Sequence, residues 1–198
     1  MKKGTIFIIT GLLLIAAALF FTGYNLWDNY RAGKAADKVL DQLLPLIEDN
    51  LPLSDELEYP DYLLNPNMDM PVKKIKGVDC IGVISIPAAK RKLPVFSEWS
   101  YKNLKTAPCR YAGSAYLDNM VICAHNYSIH FGPLKNLSYG DEVTFTDMDG
   151  NVFTYKVAEV ETLRPHAIKE MTAGEWDLTL FTCTVGGATR VTVRCERE

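Results

Sequence analysis

The stretch LTLFTCTVGGATRVTVRC, residues 178–195, decides the fold class. Leu178 to Cys183 is dense in strand formers, and Arg190 to Cys195 alternates Arg, Val, Thr, Val, Arg, Cys, so both halves read as strands. Gly186 and Gly187 between them tolerate the positive φ values that a reversal needs. The stretch is therefore a hairpin in which Cys183 and Arg190 face each other.

Outward from this hairpin the same grammar repeats. Short β runs cover Cys80 to Ile86, Leu93 to Phe96, Met120 to Ala124, Glu142 to Thr146 and Val152 to Val160, and DMDGN at 147–151 is a hairpin signal between two of them. Tyr101 to Thr106 and Phe131 to Leu137 read as short helices. With no long amphipathic helix between the strands, the sequence predicts a mostly β, mostly antiparallel barrel or sandwich rather than a parallel α/β sheet.

The N-terminus has a different physics. Two lysines precede an uncharged run from Gly4 to Trp27, and a helix over the 20 residues Thr5 to Tyr24 is roughly 30 Å long, which matches the hydrocarbon core of a bilayer. The apolar run continues past Ala16-Ala17-Ala18 into Leu19-Phe20-Phe21, which favours an uncleaved transmembrane anchor over a signal peptide. Lys2 and Lys3 keep the N-terminus cytoplasmic and send the remainder outside, although Arg31 and Lys34 vote the other way; Tyr24 and Trp27 fall at the outer interface. Residues 30–50 carry Val39, Leu40, Leu43, Leu44 and Ile47 at helical spacing, predicting a stalk helix that Pro45 kinks or ends. The next 30 residues, rich in Pro, Asp and Asn, read as an irregular connection. The expected organisation is a tail and anchor at 1–27, an extracytoplasmic stalk and linker at 28–77, and a β domain at 78–198.

Without Lys2 and Lys3 the exported part has 19 basic against 24 acidic residues, a balance of −5 that argues against nucleic acid as a partner. Five scattered cysteines make no disulfide framework and no C-x-x-C pair, and the odd number leaves at least one free thiol in an exported chain. A nucleophilic cysteine must be reachable and must have a base or a cation nearby. Cys183, at a strand end opposite a guanidinium, meets that requirement, whereas Cys80, Cys109, Cys123 and Cys195 read as small buried residues. Of three histidines, His125 follows directly on the strand Met120 to Ala124, while His130 and His166 lie in loops. His125 and His130 do not form a zinc site, since H-E-x-x-H is absent and no C-x-x-C completes a tetrahedral set.

TLFTC at 179–183, Arg190 seven positions after the cysteine and AHN at 124–126 together resemble the sortase family of cysteine transpeptidases. The family's T-L-x-T-C motif and C-x6-R spacing are matched, over a similarity reaching from Cys80 to Arg197. The resemblance implies a closed eight-stranded β-barrel with short helices behind a transmembrane helix and stalk. It also implies Cys183 as nucleophile, His125 as general acid/base, Arg190 as oxyanion or substrate-positioning residue, and Thr182 and Asn126 in substrate binding. The implied partners are proteins with an LPxTG-like sorting signal and an amine acceptor from a cell-wall precursor or a pilin lysine. No metal or organic cofactor is required; the acidic pieces DMD and GDE read as turns before they read as a calcium site. The lack of a second apolar segment after the β domain favours an anchoring over a pilus-polymerising role. An L,D-transpeptidase would need a glycine before the cysteine, which LFTCT lacks, and a non-catalytic tethered adhesion module would need none of the three residues. In LNPNMDMPV, 64–72, Met68, Asp69 and Met70 form either a lid over Cys183 or simple packing of the linker against the barrel wall.

Overall fold

The computed structural model describes residues 3–49 and 59–198. Nine strands carry the domain: β1 (Lys73–Ile75), β2 (Val78–Ile86), β3 (Arg91–Phe96), β4 (Cys109–Ala112), β5 (Met120–Ala124), β6 (Glu142–Asp147), β7 (Val152–Leu163), β8 (Leu178–Cys183) and β9 (Arg190–Arg197). Their order is β1-β2-β3-β4-β5-β8-β9-β7-β6, and β2 also pairs with β6, so β2 to β9 close a barrel of eight strands with β1 as a hairpin extension. Closure happens at Gly82, where β2 is bonded on both sides: it faces Val95 of β3 and Asp147 of β6 at a bulge. A Cβ at Gly82 would run into the Thr146 carbonyl, and the backbone there has φ +153°, so only glycine lets the two edges meet.

All seven runs expected from pattern are strands. The eighth barrel strand, β4, is four residues long and touches β3 through one parallel pair, Phe96 with Cys109. The ladder is antiparallel except at β3–β4 and β5–β8. The core is built from inward positions of facing strands, with Ile84, Phe145, Phe153, Tyr155, Ile122, Leu180 and Val193 all essentially inaccessible. The DMDGN turn is held by Asp147, whose Oδ1 accepts from Asp149 N and Asn151 N, both at 2.9 Å, while Oδ2 accepts from Tyr116 Oη at 2.7 Å. That carboxylate is therefore used up by the turn. Short helical pieces stand where they were expected, at Tyr101–Leu104, capped by Ser100 Oγ accepting from Asn103 N, and at Gly132–Asn136.

The N-terminal half differs from expectation in two respects. The anchor and the stalk are a single helix, α1 (Lys3–Glu48), 46 residues long, because no cap or breaker separates them; Pro45 falls in its final turn and Asp49 N closes on the Pro45 carbonyl at 2.9 Å. The helix is long and apolar enough to cross a membrane, and its apolar window is unburied. Its second half is docked: Ala32, Ala36, Val39, Leu43 and Ile47, spaced three or four apart, are buried against β1, β2 and β3. The connection is also less irregular than its composition indicates, with a helical turn at Asp61–Leu64 (α2) and the strand β1. Tyr62 of α2 stacks on Tyr116, ring centroids 4.7 Å apart, at the barrel end where β5 and β8 begin. Residues 50–58 of that connection lie outside the described residues.

Candidate active site

Strand registers bring three functional groups together. β5 and β8 run parallel with Ala124 beside Thr182, so the next residue of each strand, His125 and Cys183, leaves the ladder on the same outward face. Thr182 points inward, 2% exposed, and its hydroxyl donates to the Ala124 carbonyl at 2.8 Å, locking the two strand ends. In the antiparallel pair β8–β9, Cys183 stands directly opposite Arg190. The loop 184–189 reverses through Gly186 and Gly187, at φ +82° and +76°, and is tied by Thr189 N donating to Thr184 Oγ1 at 3.1 Å.

His125, Cys183 and Arg190 line one cleft of about 180 Å³. Its walls are apolar: Trp99, Tyr111 and Phe181 form a ladder of rings with centroids 5.6 and 5.3 Å apart, and Ile168 and Met171 of the short helix Ile168–Met171 (α4) face them. Phe181 lies two residues before Cys183, on the same strand face, so alternation alone makes it a wall residue; Trp99 and Tyr111 come from elsewhere and carry no local signal. A larger cleft of about 520 Å³ between α1 and the barrel, lined by Arg31, Lys34, Lys38, Lys76 and Lys102, contains neither thiol nor imidazole.

The electrostatics separate the candidates. Burial pushes the Cys80, Cys109 and Cys195 thiols up to about 12 and raises Cys123 further, and all four are buried, whereas Cys183 is only half-buried. Burial also lowers the His125 pKa, which favours the neutral ring, with the Asp28 carboxylate pulling the other way. His130 is fully buried; burial and then the proximity of His125 push it down to about 4. Arg190 donates Nη1 to the Gly187 and Thr189 carbonyls, each at 3.1 Å, and its Nε and Nη2 have no protein partner among the described residues.

The other anticipated residues fall elsewhere. Asn126 is exposed and does not line the cleft, and Thr182 borders it with its hydroxyl already used. Met70 is buried in the main core cluster with Met68 packed against it, Asp69 is exposed, and none of residues 64–72 lines the cleft. The segment thus packs against the barrel wall and does not cover Cys183. Besides the wall residues Trp99 and Tyr111, two neighbours of the imidazole escaped sequence reasoning: Tyr127, whose ring lies 5.1 Å from that of His125, and Asp28 of α1, which accepts from Tyr127 Oη at 2.6 Å.

A strand-end thiol, an imidazole and a guanidinium around an apolar groove are the groups that a cysteine acyl-transferring enzyme would use. Residues 84–198 match the family model of the sortase domain, and the chain belongs to the sortase family, a family of transpeptidases. Among solved structures the chain is similar to sortase C1 of Streptococcus suis, at 25% identity and TM-score 0.53, covering 60% of this chain and 73% of that one. It is also similar to sortase C of Clostridium perfringens SM101, at 25% identity and TM-score 0.52 with 83% and 90% covered. The sortase D5 transpeptidase of Clostridium perfringens shares the fold at 18% identity and TM-score 0.57, with 83% and 96% covered. No curated protein matches the chain.

Proposed function

We propose that this protein is a membrane-anchored transpeptidase that cleaves an LPxTG-like sorting signal and joins the released carboxyl end to an amine. The observation that carries the reading is the shared outward face of His125, Cys183 and Arg190 at one end of a closed barrel, beside an apolar groove suited to an extended Leu-Pro-containing peptide. Neutral His125 takes the proton of the Cys183 thiol as the sulfur attacks the Thr carbonyl carbon. The Nε and Nη2 donors of Arg190 stabilise the negative oxygen. The imidazolium returns its proton to the nitrogen of the departing glycine as the peptide bond breaks, leaving a thioester on Cys183. An incoming amine then attacks the thioester carbonyl, gives its proton to His125 and releases the thiol. The acceptor amine belongs to a cell-wall precursor or a pilin lysine, and α1 holds the catalytic domain on the outer face of the membrane.

An L-P-x-T-G-type peptidyl methyl ketone tests the reading. It is expected to alkylate the full-length protein at Cys183 alone, and Cys183→Ala, a small residue for a small one, is expected to remove labelling and peptide cleavage with the fold retained. Cleavage by Cys183→Ala would sink the proposal.

A further inference from the structure

The loop that carries His125 is held by the anchor helix. Asp28 Oδ2 accepts from Tyr127 Oη at 2.6 Å, and Oδ1 receives Arg31 Nε at 3.0 Å. One residue on, Asn29 and Ser128 exchange two side-chain hydrogen bonds of 2.9 and 3.2 Å, 99 residues apart in sequence. Another turn further, Gly33 lies so close to the loop that a Cβ would stand 2.9 Å from Ile129 Cδ1, and Ala32 beside it is completely buried. From the opposite side Arg91 clamps the Ser128 carbonyl through Nε and Nη2 at 3.1 and 2.7 Å. Within the loop the Tyr127 ring lies between two imidazoles, 5.1 Å from His125 and 5.4 Å from His130.

Four consecutive loop residues, 126–129, thus have three side chains fixed by the first extracytoplasmic turns of α1, and the one ring touching both histidines is the one bonded to Asp28. Resting on the function proposed above, we infer that Asp28 and Tyr127 are positioning residues for the acid/base, the Asp28–Tyr127 hydrogen bond fixing the His125 ring. The Asp28 carboxylate also opposes the lowering of the His125 pKa by burial. The groups facing His125 are Asp28 from α1, Lys105 beyond the helix Tyr101–Leu104, Cys183 of β8 and Arg190 of β9 in the shared cleft, and Tyr127 and His130 of its own loop; Asp28 is the carboxylate among them. Displacement of a proton-transfer group by about 1 Å costs on the order of 100-fold in rate, so a single hydrogen bond at this position has kinetic weight. The anchor helix is then a working part of the site.

The test uses the full chain in detergent micelles, with a soluble L-P-x-T-G peptide as substrate and isotope-labelled histidine followed by NMR. Asp28→Ala and Tyr127→Phe are each expected to lower kcat about tenfold with KM within about twofold, and the double variant to be no slower than the worse single, as for two ends of one contact. Asp28→Asn, which keeps an acceptor and loses the charge, is expected to shift the His125 titration to lower pH, and Asp28→Glu to restore it. A merely structural contact would lower Tm and leave kcat and the His125 titration where they are; that result in Asp28→Ala, Tyr127→Phe and Asp28→Asn overturns the inference. If instead Cys183→Ala turned over substrate, the functional reading would fall, while the His125 titration would still report whether Asp28 acts on the ring.

Discussion

At the scale of single residues, two histidines five positions apart have opposite assignments because of their surroundings. His125 opens on a cleft, and His130 is enclosed beside Tyr127, with Arg91 and Arg31 adding positive potential. A buried imidazole with a pKa near 4 in the folded protein and 6.5 when unfolded binds its proton more readily in the unfolded chain. Its contribution to stability is complete above about pH 6.5 and is lost as pH falls towards 4, about 3 kcal/mol over that window. His130→Phe, which keeps a flat ring in the same place, is expected to flatten the fall in Tm between pH 7 and 4.5 relative to the parent while leaving peptide cleavage intact. An equal fall in both proteins would show that His130 is not the acid-sensitive group. Cys183 and Arg190 were legible at this scale, since hairpin geometry fixes which residues oppose each other. His125 was legible as a strand end, but the hydrogen bond from its neighbour Tyr127 to Asp28 was not, because no local pattern reports a contact across 99 residues.

At the scale of elements, Arg194 shows how the cleft wall is attached. It lies on β9, 3% exposed, with Nε on Glu161 of β7 at 2.7 Å, Nη1 on Thr179 of β8 at 3.0 Å and Nη2 on the Glu170 carbonyl of α4 at 2.8 Å. Removing the guanidinium strands a carboxylate and a carbonyl together, so Arg194→Ala is expected to cost about 3 kcal/mol in urea unfolding. It should also loosen Ile168 and Met171, raising KM for peptide more than it lowers kcat. A loss below about 0.5 kcal/mol would make the cluster an ordinary surface pair. Strand existence could be read where apolar strand formers run together between turn signals, even over the four residues Leu93–Phe96. It could not be read at Cys109–Ala112, where Arg110 interrupts the apolar run and the strand form comes from neighbours on either side. The parallel β5–β8 pairing, which sets His125 beside Cys183, follows from a chain crossover of more than fifty residues and leaves no mark in either strand.

At the scale of the whole molecule, α1 belongs to both halves. Its apolar stripe was visible in the sequence, and its continuity across residue 27 was hidden because the eye breaks a helix where polarity changes, whereas the backbone breaks only at a cap, a glycine turn or a proline. Leu43, fully buried beneath that stripe, is expected to cost about 3 kcal/mol when cut to Ala, read as easier release of the stalk half to protease than of the barrel core. Uniform protection in Leu43→Ala would mean the stripe does not bind the two together. A continuous helix also sets a height. The His125 loop docks at residues 28–33, so along the helix axis it stands roughly 6–14 Å beyond Tyr24, which for the proposed membrane-anchored enzyme is the level of the headgroup layer and just above it. A proposed reaction centre held there meets its substrates by lateral diffusion in a sheet rather than by collision in a volume. Its working concentration is counted per unit of membrane area, and a partner that is itself embedded arrives already at the right level.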